Sequence, residues 1–486
     1  MSSITISPSP IAVIGAGPVG LAAASHLVRR GLPVVVYEAG AGVADHLGRY
    51  RQVRLFSPWR FNIDRAAREL LMASGWKAPD DEQLPTAGEL VDDYLTPLSR
   101  TPALAPHIHF GARVLAVSKL GFDKAKTAGR EQADFLLQVQ TGDGLYEQRA
   151  RAVIDASGTW SQPNPLGIHG LSARGETEVG IRARIVHGMP DILGADRSRY
   201  AGRKVLVVGA GHSAAGNLLA LATLTEQTPG TRLAWAVRGT DLRRLFGGGE
   251  NDGLPARGEL GSRLRALVEQ ELLELHLGFG IREIVLDGKL PEGLRVVASD
   301  STKPPIEGVD EIIASTGSRP ELGMLRELRL RFDPWLESTD ALAPLIDPNV
   351  HSCGTVRPHG HRELEHPEPR FYAIGAKSYG RAPNFLMATG YEQARSVVAA
   401  LAGDLAAADD VQLELPETGV CSTDLASPDL VAGGGACCGG PPKEDASACC
   451  ALDEVKKTEG EAGCGCGPKS AVVAASAKRL KSACCG

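Results

Sequence analysis

Two glycine-rich loops constrain this chain more than any other feature. Gly15-Ala16-Gly17-Pro18-Val19-Gly20 and Gly209-Ala210-Gly211-His212-Ser213-Ala214 lie 194 residues apart. Each follows a short apolar run, Ile11 to Ile14 or Val205 to Val208, and opens a helical stretch. A strand, a tight turn and a helix in that order gather backbone N–H groups at the positive end of a helix, which makes a seat for an anion. The first glycine makes the turn and the second lets the backbone approach a pyrophosphate. One such loop is a weak signal; two in full strand–loop–helix context imply two dinucleotide sites in one chain.

The rest of the chain arranges itself around these loops. Val19 to Arg30 reads as a helix and Pro33 to Tyr37 as the next strand, ending at Glu38, 23 residues after Gly15. An acid there is placed to accept hydrogen bonds from an adenosine ribose. Helical segments near Ile63 to Ala73 and Gly88 to Ser99 are followed by strand-like runs at Arg113 to Ser118, Phe135 to Gln140 and Arg149 to Ile154. These predict a returning β-meander that closes on Asp155-Ala156-Ser157-Gly158-Thr159. The second unit repeats the plan with strand Val205 to Val208, helix Ser213 to Thr225, strand Arg232 to Val237 and a closing turn around Gly317. Phe371 to Ile374, ending in Gly375, and a helix from Leu386 to Leu401 are expected to return to the first unit. The predicted fold is α/β: a discontinuous Rossmann-like domain (1–165 and 319–405) interrupted by a second one (200–318), with a flexible cysteine-rich tail at 406–486.

Composition narrows the partners. A net charge of -6 argues against nucleic acid or an anionic membrane surface. No run approaches the roughly 20 apolar residues of a membrane span, and Met1 to Pro10 lacks a signal pattern, so the expected location is cytoplasmic. Of ten cysteines, only Cys353 and Cys421 precede residue 431. Free thiols or metal ligands are the expectation in a reducing compartment.

The motif order over about residues 10 to 402 resembles flavoproteins with two dinucleotide-binding domains, and within them the flavin-containing monooxygenase group. The resemblance implies that Gly15, Gly17, Gly20 and Glu38 hold FAD and that Gly209, Gly211 and Ser213 hold the nicotinamide cofactor. Pro18, Ser57, Trp59, Gly158 and Gly375 group with the first site, and His212, Arg238 and Gly317 with the second. Leu55-Phe56-Ser57-Pro58-Trp59-Arg60-Phe61 looks like the stretch that passes the flavin ring in that group, although an ordinary turn at Pro58 fits it equally well. The chain departs from the group before the second loop: instead of Phe-x-Gly-x-x-x-His it reads Ala173-Arg174-Gly175, with His187 twelve residues later. The whole chain, tail included, is similar to monooxygenase-like flavoproteins of arsenic-resistance gene clusters. That implies dioxygen, a small soft nucleophile and metalloid detoxification, and leaves a homodimer open as the assembled form.

Arg238 stands where an NAD enzyme would carry an acid, so it can pair with the 2′-phosphate of NADPH, with Arg243 and Arg244 close behind. Ser57, Trp59 and Tyr379 are the side chains expected nearest the flavin; no side-chain acid or base is assigned. The segment from His351 to His361, with His366 beyond, holds four of the twelve histidines. Its Pro358 and Gly360 say loop, and its spacing lacks the paired ligands of a zinc site, so a polar loop near the active-site entrance is expected. The tail carries close thiol pairs, Cys437-Cys438, Cys449-Cys450, Cys464-x-Cys466 and Cys484-Cys485. Such pairs bind soft ions, trivalent arsenic among them, or shuttle electrons as disulfides.

Overall fold

The computed structural model describes residues 9–242, 246, 255–288, 293–349 and 356–415. Strands β1 (Ile11–Ile14), β2 (Val34–Tyr37) and β3 (Ile108–His109) come first, then an antiparallel meander of β4 (Arg113–Lys119), β5 (Phe135–Thr141) and β6 (Gly144–Ala150). After β7 (Ala152–Asp155) the chain enters a second unit with β8 (Ile185–His187), β9 (Lys204–Val208), β10 (Arg232–Ala236) and β11 (Glu274–His276). A second meander, β12 (Ile281–Leu286), β13 (Leu294–Ala298) and β14 (Ile306–Val309), precedes β15 (Glu311–Ala314), and the chain returns with β16 (Phe371–Ala373). Two five-stranded parallel sheets result, in the orders β16-β7-β1-β2-β3 and β11-β10-β9-β15-β8.

The central strands are apolar because both of their faces are covered. Along β1, Ile11 and Val13 pack among helices α1 (Pro18–Arg29), α2 (Arg65–Ala73) and α5 (Met387–Leu401), while Ala12 and Ile14 face the β4–β6 meander. In β9, Val205 and Val207 pack against α3 (His212–Gln227), and Leu206 and Val208 against the β12–β14 side. A fourth helix, α4 (Pro255–Glu269), adds Leu264 to the α3 side. Parallel strands with helical crossovers place the carboxyl end of each sheet, and the loops there, at one edge.

Three expectations change. The run Arg149 to Ile154 is two strands, not one: β6 ends at Ala150, and β7 starts at Ala152 as a parallel neighbour of β1. The meander strand β6 is largely exposed up to Ala150 while β7 is buried throughout, so the apolar run Ala152–Ile154 belongs to the sheet. The second unit also begins before residue 200. β8 pairs with β15, and Gly167 and Arg174 bridge to Ile281 and Glu283, so the segment after Leu166 packs with that unit. Finally, packed chain continues past Leu405 as a short helix, Leu405–Asp409, tied down by Arg30 to Asp404 and Arg362 to Asp409. Residues 416–486, with every tail cysteine, lie outside the described residues.

The chain crosses between the sheets twice, and the two crossings pair. The Asn164 N–H donates to Gly317 O (2.9 Å), the Arg319 N–H to Gln162 O (2.9 Å), and Ser318 Oγ to Thr159 Oγ1 (2.9 Å). Gly158 and Gly317 sit in these crossings at φ +69 and +78.

Candidate functional site

At the first loop, Gly15 has φ +98, and a Cβ there would lie 2.9 Å from Ala156 O. Only glycine fits between β1 and the turn after β7. A Cβ on Gly20 would stand 2.0 Å from Gly15 O, so the turn folds directly onto the first turn of α1. Gly17, by contrast, meets nothing within 4 Å, and it is the N-cap of α1 with Pro18 at the first helical position. The loop is therefore tight on its protein side and open on the other, which fits an entering pyrophosphate. Glu38 is buried and accepts from Ala16 N–H (2.8 Å) at Oε2 and from Gly40 N–H (2.7 Å) at Oε1. Each oxygen keeps a second lone pair for a ribose hydroxyl. Gly375, at φ +68 beyond β16, reaches the same place: a Cβ on it would be 3.3 Å from Val19.

The second loop has the same plan with different fittings. Gly209 lies at φ +134, with its would-be Cβ 2.2 Å from Ser315 O, and Gly211 again faces open space. His212 and Ser213 form the first turn of α3 beyond the Gly211 N-cap. Beneath the loop, Asn217 Nδ2 donates to Gly188 O (2.9 Å) and Ser315 Oγ (3.0 Å), tying the ends of β8 and β15 to α3. Arg238 follows β10 with its side chain exposed. Arg243 and Arg244 lie outside the described residues.

The segment around Ser57 joins the units. Gln52 Nε2 donates to Met189 O (3.1 Å) and Pro190 O (3.1 Å) just past β8, and the Phe56 ring meets the His212 ring edge-on at 5.4 Å. Tyr50 stacks on Trp160 at 4.9 Å. The segment thus runs past the carboxyl edge of the second sheet, where ligands of open α/β sheets bind. Ser57 Oγ donates to Asn62 Oδ1 (3.2 Å). Trp59 is a core side chain of the α1 side, 3% exposed, and Tyr379, 1% exposed, packs on Phe385 and His359.

Of the histidines in this segment, His359, His361 and His366 are described, and all three are buried. His359 is buried, with Nδ1 3.0 Å from Arg357 O and Nε2 2.9 Å from Gln393 Nε2, whose Oε1 accepts from Gly375 N–H (2.7 Å). Burial pushes the His359 imidazole below its usual pKa and that of His366 down to about 4. His361 Nε2 lies 2.9 Å from Asp409 Oδ1. Each of these three rings fastens the returning chain, and the His359 ring does so beside Gly375 of the first site. Among the described residues no group of His, Cys, Asp and Glu is arranged to hold a metal, and His351 and Cys353 lie outside them. A cleft of about 910 Å³ lies at the far end of α1, lined by His26, Arg29 and Arg65 among others, remote from Gly17.

Sequence reasoning missed Trp235, Gln393 and Lys377. Each is a buried side chain acting on a backbone group from a distant part of the chain, and no local pattern signals that.

A mononucleotide-type parallel sheet with a glycine loop, occurring twice and joined by paired crossings, defines a flavoprotein with two dinucleotide-binding domains. The chain belongs to the pyridine nucleotide-disulphide oxidoreductase family, whose sequence profile matches residues 12–352. It is thereby an FAD-dependent oxidoreductase working with a pyridine nucleotide. Among solved structures it is similar to the bacillithiol disulfide reductase of Bacillus cereus, at 18% identity over 82% of this chain and 99% of that one, with a TM-score of 0.60. The cadaverine monooxygenase of desferrioxamine biosynthesis from Erwinia amylovora, crystallised with FAD, matches at 13% over 82% and 95%, TM-score 0.55. The ornithine N-hydroxylase of Kutzneria sp. 744 matches at 16% over 82% and 100%, TM-score 0.52. Among curated protein sequences, none matches the chain. No described helix is long and apolar enough to cross a membrane.

Proposed function

We propose that this protein is an NADPH-dependent flavin monooxygenase that oxygenates a soft nucleophile, with trivalent arsenic compounds as the substrate class. The observation that carries the reading is the distribution of cysteine: residues 1–405 contain Cys353 alone, so the two nucleotide units hold no dithiol to receive electrons. Electrons then leave the flavin for an acceptor outside these two units, and dioxygen is the acceptor in this reading. FAD, when bound here, would supply the two-electron chemistry between a reduced nicotinamide and the acceptor. The chain's own residues bind and orient. Gly17 and the first turn of α1 take the pyrophosphate, Glu38 the ribose, and the Gly211–Ser213 turn the second pyrophosphate. Arg238 supports NADPH over NADH because its guanidinium can pair with the extra phosphate. The reading uses one dioxygen and one NADPH plus a proton per turnover: one oxygen atom goes to the substrate and the other to water.

The test is turnover of the purified full chain with NADPH and ¹⁸O₂, with arsenite or an organic arsenical present. One labelled oxygen in the arsenic product per NADPH supports the reading. Release of all consumed oxygen as hydrogen peroxide, with unchanged arsenical, overturns it. A second reading rests on the four thiol pairs of the tail: a flavin reductase that passes electrons to their disulfides. Appearance of two thiols per NADPH without oxygen would favour it.

A further inference from the structure

The two loops differ at the third glycine position of the G-x-G-x-x-G pattern, Gly20 in the first and Ala214 in the second. Gly15 and Gly20 stand in the same relation as Gly209 and Ala214, five residues apart. In the first loop Gly15 O rests over Gly20, where a Cβ would be only 2.0 Å away. Ala214 has that Cβ, so the Gly209 carbonyl cannot take the same seat in the second loop. It accepts instead from Trp235 Nε1–H at 2.8 Å, an indole packed on the α3 face of the sheet. Trp235 lies in β10, fully buried, with Val207 as its partner across the ladder. Its counterpart in the first unit, opposite Val13, is Val36, an apolar side chain with no donor.

We propose that Trp235 is a positioning residue for the pyridine nucleotide, made necessary by Ala214. A carbonyl oxygen left free at the turn would present partial negative charge to an incoming pyrophosphate. Anchored on the indole it points inward, which leaves the N–H groups of the Gly211 turn facing the anion. The inference rests on the second loop being the nicotinamide cofactor site.

Titration of the FAD-loaded protein with NADPH under anaerobic conditions tests it. Trp235→Phe keeps an aromatic ring and removes the donor. It is expected to weaken NADPH binding about tenfold, with FAD content and kcat at saturating NADPH unchanged. In an Ala214→Gly background, where the carbonyl regains the seat it has in the first loop, the same substitution should cost less than about threefold. Equal losses in both backgrounds, or none in either, would overturn the proposal. Failure of the wild-type protein to bind NADPH would instead overturn the assignment of the loop. Should Trp235→Phe not fold, hydrogen exchange of the Trp235 indole N–H in ¹⁵N-labelled protein gives an independent measure. The N–H should be protected in the wild type and exchange at least tenfold faster in Ala214→Gly; equal rates in the two would refute the link.

Discussion

Lys377 Nζ lies 3.1 Å from Asp155 Oδ2, and neither side chain is exposed. The same ammonium donates to Ser157 Oγ (3.0 Å) and Glu321 O (2.6 Å). One buried charge thus ties β7, the outgoing crossing and the returning crossing together. Removing one member of a buried pair strands the other, at about 3–5 kcal/mol. Lys377→Met should therefore lower unfolding stability by that order in urea denaturation. Lys377→Met with Asp155→Asn should cost less than the two single changes combined. Additive losses would mean that the two groups do not act as a pair.

Much of this architecture was legible in the sequence because β1 and β9 are buried on both faces and run straight into glycine loops. The apolar run, the turn and the helix coincide in ten residues. The β6–β7 boundary was not legible, since only Arg151 separates a meander strand from a sheet strand. β8 and β11 are three-residue edge strands, too short to carry a period. At the site, the glycines and Glu38 sit at fixed offsets within one unit. Trp235 to Gly209, Gln393 to Gly375 and Lys377 to Asp155 arise only once distant segments are brought together.

Glu38 holds two backbone N–H groups, one on each carboxylate oxygen. Glu38→Gln replaces one acceptor with an amide N–H that faces a donor, so the conservative change should behave nearly as badly as Glu38→Ala. Both are expected to leave the purified protein with less than about a tenth of its FAD, a loss of more than about 1.4 kcal/mol in binding. The ratio of flavin absorbance to protein absorbance measures it. Full FAD in Glu38→Gln would show that the carboxylate is dispensable to the loop.

His366 is 4% exposed, accepts from Arg331 N–H at 3.2 Å and packs against Phe332 and Phe371. Its folded-state pKa of about 4 lies below the unfolded value of 6.5. The unfolded chain therefore takes up a proton first as pH falls. Stability from this group is complete above about pH 6.5 and declines toward pH 4, by on the order of 3 kcal/mol over that span. Urea unfolding of the wild type should show this decline, and His366→Gln should flatten it. The same slope in both proteins would assign the acid sensitivity to other groups.

Arg238 is the residue proposed to set the preference for NADPH. Arg238→Glu removes a charge-assisted pair and sets a carboxylate against the 2′-phosphate. The kcat/KM for NADPH should fall by about 10- to 100-fold, while that for NADH stays within about threefold. Steady-state flavin reduction with each cofactor measures the split, and equal effects on both would place Arg238 outside the phosphate pocket.

The tail prediction separates capture of a soft ion from catalysis. Pairs of thiolates prefer trivalent arsenic, Cu(I) or Zn(II), and all four pairs lie in residues 431–486. Deleting those residues leaves both glycine loops, Glu38 and Arg238 in place, so FAD content and NADPH binding should match the full chain. Arsenite binding by equilibrium dialysis under reducing conditions should be lost. If turnover at saturating arsenical persists while the KM rises, the tail delivers substrate to the flavin. If turnover disappears with NADPH binding intact, the thiols are the electron acceptor and the reductase reading replaces the monooxygenase one. Arsenite bound as tightly by the truncated protein would remove the tail from either role.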